Sequence, residues 1–148
     1  MAKFVYRMQN ILDIKTKLED QAKISYSQAN TKLLEEQEKL HAILVRKADY
    51  EKIAQDLVNG PINIKKIQEN KRAIDAMKSS MRAQLLQVQV AEKNLEAARD
   101  HLNEVMMERK THEKLREHAF DQFKQDIAYE ENKAVDELVS YTYQKDKD

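Results

Sequence analysis

The chain has 148 residues with one Gly, one Pro, no Cys and no Trp, and its 26 Lys and Arg balance 26 Asp and Glu. So few turn-forming residues argue against a β-rich fold. The absence of Cys excludes disulfides, thiolate metal sites and Cys nucleophiles. The balanced charge argues against a dedicated nucleic-acid binder. No run of about 18 apolar residues predicts a membrane span, and the opening residues lack the apolar core of a secretory signal.

The first part of the chain is predicted to form one long amphipathic helix, covering about residues 3–58. Its early apolar residues follow heptad spacing. From Leu18 onward the successive apolar residues are separated by steps nearer to four, four and three residues, which indicates an eleven-residue repeat. The apolar positions used for this prediction are Phe4, Met8, Ile11, Leu12, Leu18, Ala22, Tyr26, Ala29, Leu33, Leu40, Leu44, Ala48, Ile53 and Leu57.

A break follows at Asn59-Gly60-Pro61. Asn and Gly can adopt the left-handed conformation that ends a helix, and Pro cannot continue one, so a turn is predicted at about residues 59–63. Two long helices joined by a short turn must lie antiparallel. A turn centred near Gly60 pairs residues whose numbers add up to about 120, so that Leu33 faces Val88 and Ala29 faces Ala91.

The second helix, predicted at about residues 64–143, carries two apolar positions that repeat every seven residues. This spacing is typical of the seam of a coiled coil, the line of residues that faces the partner helix. Asn70 and Gln84 are polar members of this seam and can fix its register. One position holds Ile67, Ile74, Met81, Val88, Leu95 and Leu102, and the other holds Asn70, Met77, Gln84, Ala91, Ala98 and Val105.

The fold class predicted is therefore all-α: an antiparallel two-helix coiled coil, or helical hairpin, with a longer second helix. Beyond about Arg116 the register leaves the second helix without a partner. Apolar residues nevertheless continue there at helical spacing, which predicts an interaction surface. Self-association through the same stripe is the alternative. The stripe holds Phe120, Phe123, Ile127, Leu138 and Tyr141.

No pattern in the chain predicts catalysis or a bound metal or cofactor. Glu38 and His41 have the spacing of one di-iron ligand pair, but a carboxylate bundle needs two such pairs and two further Glu. There is no phosphate-binding Gly loop and no nucleophile constellation, and a two-helix fold offers no concave apolar pocket. A basic cluster after the turn is more often a solvated face than a lipid or nucleic-acid site. It consists of Lys65, Lys66, Lys71 and Arg72.

Three segments resemble the flagellar FliJ family of export proteins. The run from Phe4 to Leu12 resembles the opening F-x-Y-R-x-Q-x-x-L of that family. Asp49-Tyr50-Glu51 before a Gly-containing turn resembles its middle, and the run from Glu131 to Leu138 resembles its E-x-K-x-x-D-E segment. The resemblance covers the whole chain.

The resemblance implies a non-enzymatic component of the bacterial flagellar type III export apparatus, serving motility and chemotaxis. Members are similar to the stalk subunit of rotary ATPases. The implied partners are a hexameric export ATPase, the membrane export gate and export chaperones, for a monomer or weakly self-associating protein. The implied location is the cytoplasm and the cytoplasmic face of the cell membrane, held peripherally through the export apparatus.

The resemblance also implies two sets of binding residues. Ile43 and Tyr50 match gate-binding positions, whereas Arg46 stands where the family pattern has a second Tyr. From its context alone, Tyr50 is equally well interpreted as a side chain that covers the edge of the seam. The residues expected to contact the ATPase are Phe4, Met8, Phe120, Phe123, Ile127, Leu138 and Tyr141.

The competing interpretation is a prefoldin-like coiled-coil chaperone or scaffold that assembles into a multimer without an ATPase partner. The oligomeric state distinguishes the two. A stalk is expected to be monomeric or weakly associating, whereas a scaffold multimer should persist on dilution.

Overall fold

A computed structural model describes residues 2–147, with side chains described as far as residue 146. It contains two helices in this part of the chain, α1 (Gln9–Val58) and the longer α2 (Ile64–Lys147). The predicted helical hairpin is confirmed. No described helix has a segment that is both long and apolar enough to cross a membrane.

The turn between the helices is built around a side-chain cap at the start of α2. The Lys66 backbone N–H donates to Oδ1 of Asn63 at 3.3 Å, and the Ile67 N–H donates to the Asn63 carbonyl at 3.1 Å. This is the usual N-cap arrangement, which satisfies one of the backbone donors that a helix start leaves free. No described residue has a positive φ, so the left-handed conformation expected near Gly60 is not used.

The seam predicted for α2 is confirmed residue by residue. Each of the twelve heptad positions from Ile67 to Val105 is buried or half-buried. The most deeply covered are Val88, Ala91 and Val105, at 4–7% exposure. Two apolar positions per heptad are therefore sufficient to identify the covered face of this helix.

The eleven-residue repeat inferred for α1 is wrong. Its buried and half-buried residues alternate in steps of three and four from Leu12 to Leu57, a regular heptad pattern. Apolarity predicts that Leu18, Leu44 and Ile53 are seam residues, but they are 39–46% exposed. Polar side chains occupy seam positions instead, and these include Lys15, Glu19, Glu36 and Lys47.

The two helices pack antiparallel within each of two compact units, one formed by Gln21–Asn103 and the other by Met1–Asp20 with Glu104–Asp148. In the first unit, Asn70 Nδ2 donates to the Tyr50 carbonyl at 3.1 Å, and Gln84 Nε2 donates to the Glu36 carbonyl at 3.0 Å. The residue numbers of both pairs add up to 120, as the turn-centred register predicts. In the second unit, Lys15 binds Glu108 at 2.8 Å.

The start of α1 differs from the prediction. The helix begins at Gln9, whereas residues 2–6 have no regular secondary structure. A turn precedes the helix, in which the Gln9 N–H donates to the Tyr6 carbonyl at 3.1 Å. Non-helical backbone advances up to about 3.3 Å per residue, against 1.5 Å in a helix, so this segment reaches farther along α2. The helical spacing of Phe4 and Met8 therefore does not make their segment a helix.

The most unusual seam element is a buried polar layer formed by Glu36 and Gln84. Glu36 is 5% exposed, and its carboxylate accepts from the Gln84 amide and pairs with Lys32 at 3.0 Å and Lys39 at 3.4 Å. The Gln84 and Lys32 hydrogen bonds hold the pKa of Glu36 at about 2, against an ordinary value of 4.5, although burial opposes this shift. The ionised carboxylate is thus the form that the fold stabilises.

We expect the Glu36→Gln variant to lose a stabilisation that depends on pH. Because the folded-state pKa lies below the ordinary value, this stabilisation is present above about pH 4.5 and is lost as pH falls toward about 2. The difference in Tm between the unaltered protein and Glu36→Gln should be largest at neutral pH and shrink in acid. Glu38→Gln, on the exposed face, is the control and should show little difference at any pH. A Tm difference for Glu36→Gln that stays constant from neutral pH to pH 2 would contradict this account.

Candidate protein-binding surfaces

An aromatic cluster joins the N-terminal segment to α2. The Phe4 ring lies 5.1 Å from the Phe120 ring and 5.4 Å from the Phe123 ring, centroid to centroid. The Arg116 guanidinium lies over Phe4, 5.7 Å from its centroid. The expectation that nothing in the first part of the chain covers α2 beyond Arg116 is therefore wrong for Phe120 and Phe123. The segment before α1 covers them because it is not helical.

The uncovered surface of α2 begins after Ile127, which is half-buried. Every described side chain from residue 128 to 146 is exposed. Leu138 and Tyr141 are 65% and 66% exposed, and we call the apolar residues of this region the C-terminal stripe. Its members are Tyr129, Val135, Leu138, Val139, Tyr141 and Tyr143. Met8, also expected to contact a partner, is exposed in the turn before α1.

Sequence reasoning thus grouped residues that the structure separates. Phe4, Phe120 and Phe123 contact one another, although Phe120 is still 38% exposed, whereas Leu138 and Tyr141 are 65% and 66% exposed. The sequence holds only a weak sign of where the regular seam ends. The heptad spacing of covered residues is interrupted there by two successive steps of four, from Ala119 to Phe123 and from Phe123 to Ile127. An inserted step of this kind locally unwinds a coiled coil.

Ile43 and Tyr50 lie one heptad apart on the seam of α1, and both are half-buried. The Tyr50 carbonyl accepts a hydrogen bond from Asn70, so its backbone belongs to the packing of the hairpin. Its side chain borders a shallow groove near the turn. The other residues lining this groove are Ile53, Leu57, Lys66, Glu69, Asn70 and Ala73. Tyr50 is therefore both a seam residue and part of an accessible surface.

An ion-pair network stabilises the unit that contains the aromatic cluster. The buried Glu19 carboxylate pairs with Arg109, which also pairs with Glu113 at 2.6 Å. Hydrogen bonds to Glu113 and Glu19 raise the pKa of Arg109, so the guanidinium stays charged. Sequence reasoning missed Glu19 and Glu36 because their chemistry resembles that of the exposed carboxylates around them.

The described residues offer no arrangement suited to metal binding, since no three His, Cys, Asp or Glu side chains come together. Glu38 and His41 are both exposed on α1. The hydroxyl of Tyr6 and Nδ1 of His112 are buried without a hydrogen-bond partner. What the geometry offers is surface for partners, in the C-terminal stripe and beside the turn.

Comparison with family models matches residues 4–148 of the chain to the flagellar FliJ protein family. Searches of curated proteins and of solved structures each found no match. The match covers nearly the whole sequence, including the aromatic cluster and the C-terminal stripe. The chain therefore belongs to the flagellar FliJ protein family, whose members are components of flagellar protein export.

Proposed function

We propose that the chain acts as a non-catalytic stalk in flagellar export: a helical hairpin that binds the hexameric export ATPase, contacts the export gate and takes part in the cycling of export chaperones. The observation that carries the ATPase part is the C-terminal stripe. An amphipathic helix gains most of its stability by burying its apolar face, and the described chain supplies nothing that covers this one.

The net charge around the C-terminal stripe indicates what kind of partner surface could bind it. Residues 120–148 contain eight Asp and Glu against four Lys and Arg, a net charge of −4 in a chain whose total is zero. A partner surface with basic residues around an apolar centre would complement this segment. Association is therefore expected to weaken with rising salt, because the charged residues described between 120 and 146 are exposed.

The cluster of Phe4, Phe120 and Phe123 has a supporting role in the proposal. Phe4 covers part of α2, and the half-buried Ile127 is the last covered residue before the C-terminal stripe. A variant at Phe123 would loosen the N-terminal segment as well as change the surface. Leu138 and Tyr141 give a cleaner test because both are exposed.

We expect Leu138→Ala combined with Tyr141→Ala to weaken association with the export ATPase on the order of tenfold or more, because two large apolar side chains no longer become buried. The measurements are ATP turnover by the ATPase with and without the variant, and the binding constant. Leu86→Ala combined with Val90→Ala removes two comparably exposed side chains from another part of α2 and should have no effect.

Undiminished stimulation by the Leu138→Ala, Tyr141→Ala variant would overturn the ATPase assignment of the stripe. Sedimentation of the unaltered protein alone separates the competing function. A multimer that persists on dilution, and that the same two substitutions dissociate, would favour the prefoldin-like scaffold.

The gate part of the proposal concerns Tyr50, with Ile43 one heptad away. Tyr50 presents its side chain at a groove beside the turn, where an aromatic residue is well suited to an interface. Its seam position means that removing the side chain also loosens the hairpin. Loss of binding must therefore be separated from loss of stability.

A second half-buried seam tyrosine, Tyr26, allows this separation. We expect Tyr50→Ala and Tyr26→Ala to lower Tm by similar amounts, because each removes a half-buried aromatic side chain from α1. Only Tyr50→Ala should weaken binding to the cytoplasmic part of the export gate, measured at a temperature where both variants are folded. Equal losses of gate binding would mean that stability, not contact, explains the effect.

A further inference from the structure

The turn between α1 and α2 presents apolar side chains that nothing in the described chain covers. Val58, Ile62 and Ile64 are 66–70% exposed, and every residue from 58 to 66 is exposed. A Cβ placed on Gly60 would meet no atom within 4 Å, so the turn stands clear of other groups. We call residues 58–64 the turn tip. About two thirds of the surface of these three aliphatic side chains is left exposed by the fold of the chain itself.

Basic residues surround the turn tip. Between residues 52 and 72 the chain has five Lys and Arg against two Asp and Glu, a net charge of +3 in a protein of zero net charge. The basic residues are Lys52, Lys65, Lys66, Lys71 and Arg72, all exposed. A solvated helix face would carry this charge without adjacent uncovered aliphatic residues. The combination is what separates this region from the rest of the surface.

The positions of the basic side chains around α2 indicate the shape of the partner surface that they can contact together. Successive helical residues are about 100° apart, so Lys65 and Lys66 point in different directions, as do Lys71 and Arg72. The charges therefore surround the helix start and do not form a stripe along one side. A planar surface approached by the tip suits this arrangement, whereas a groove that holds one helix face does not.

We propose that the turn tip binds a lipid bilayer surface that contains anionic phospholipids. Ile62 and its aliphatic neighbours enter the boundary between headgroups and acyl chains, and Lys65 and Lys66 pair with lipid phosphates. Lys71 and Arg72 follow about 8–10 Å farther along α2. With their long side chains they remain within about one Debye length of the surface.

A bilayer suits the turn tip better than a protein partner does. The tip is convex and aliphatic, and a protein would need a matching concave apolar site to cover it. A fluid bilayer accommodates a convex insertion without such a site. This proposal does not depend on the ATPase or gate assignments, since the lipid surface is a separate partner with its own chemistry.

The first test is cosedimentation of the full chain with vesicles of phosphatidylcholine mixed with phosphatidylglycerol, and with vesicles of phosphatidylcholine alone. Binding is expected only to the anionic vesicles and should fall with salt. Lys65→Gln with Lys66→Gln should lower the partition constant roughly 25-fold, because each basic residue near an anionic surface contributes about fivefold. Lys110→Gln with Lys114→Gln removes two exposed charges elsewhere on α2 and should change binding much less.

The second test uses the absence of Trp from the chain. Ile62→Trp places a single fluorophore in the turn tip, and its emission should shift to the blue when anionic vesicles are added. Leu86→Trp, at a site that is 60% exposed on α2, is the matched control and should not shift. Ile62→Asp should abolish cosedimentation while leaving the helical circular dichroism unchanged, because Ile62 lies outside both helices and is 70% exposed.

Failure of the unaltered chain to bind anionic vesicles would overturn the proposal. Equal binding to neutral vesicles, or equal blue shifts at residues 62 and 86, would also overturn it by indicating general adsorption. If vesicles are not bound but Ile62→Asp weakens binding to the export gate, the turn tip is a protein contact. The turn-tip variants should stimulate the ATPase as well as the unaltered chain does. Failure of the lipid proposal can therefore be distinguished from failure of the stalk proposal.

Discussion

Burial of a heptad seam between two antiparallel helices is the interaction on which the rest of the molecule depends. The seam is thin: among the described residues, the buried apolar side chains are Leu12, Ala22, Val88, Ala91 and Val105, and each keeps 3–7% exposure. Long charged helices have little stability of their own, so burial of this narrow seam supplies most of the stability of both helices. The Glu36–Gln84 layer and the Asn70 hydrogen bond fix the register of the seam. In any other register these buried polar groups would lose their hydrogen-bond partners.

The register of the seam determines which surfaces remain for partners. It covers α2 as far as Ile127 with help from Phe4, and leaves the C-terminal stripe exposed. At the turn it leaves the aliphatic side chains of Val58, Ile62 and Ile64 largely exposed. Zero net charge conceals two regions of opposite sign, +3 at residues 52–72 and −4 at residues 120–148. Opposite charge supports the two different partners proposed above, an anionic lipid layer for the first region and a basic protein surface for the second.

The α2 seam could be predicted from the sequence because its heptads are largely apolar and uninterrupted. The α1 seam could be predicted only in part: Leu12, Leu33 and Leu40 are covered as expected. Glu19, Glu36 and Lys47 also occupy covered positions, while Leu44 and Ile53 are exposed. Residue type is a poor guide to burial where the seam is narrow and long polar side chains find partners. Phe4 continued the helical pattern, and only its three-dimensional contacts reveal that it covers Phe120 and Phe123. The sequence predicts an exposed stripe in the last part of α2, but it does not predict that the stripe begins after Ile127 and not after Arg116.

Disulfide trapping tests the register most directly, because the chain has no native Cys. Ala29 and Ala91 are one heptad from the Glu36–Gln84 layer, so Ala29→Cys with Ala91→Cys should place the two Cα atoms within about 7 Å and give an intramolecular disulfide. Ala29→Cys with Ala98→Cys is offset by one heptad, about 10 Å along the helix, and should give none. A disulfide in the offset pair, or only intermolecular product in the first, would contradict the register and the division of surfaces that follows from it.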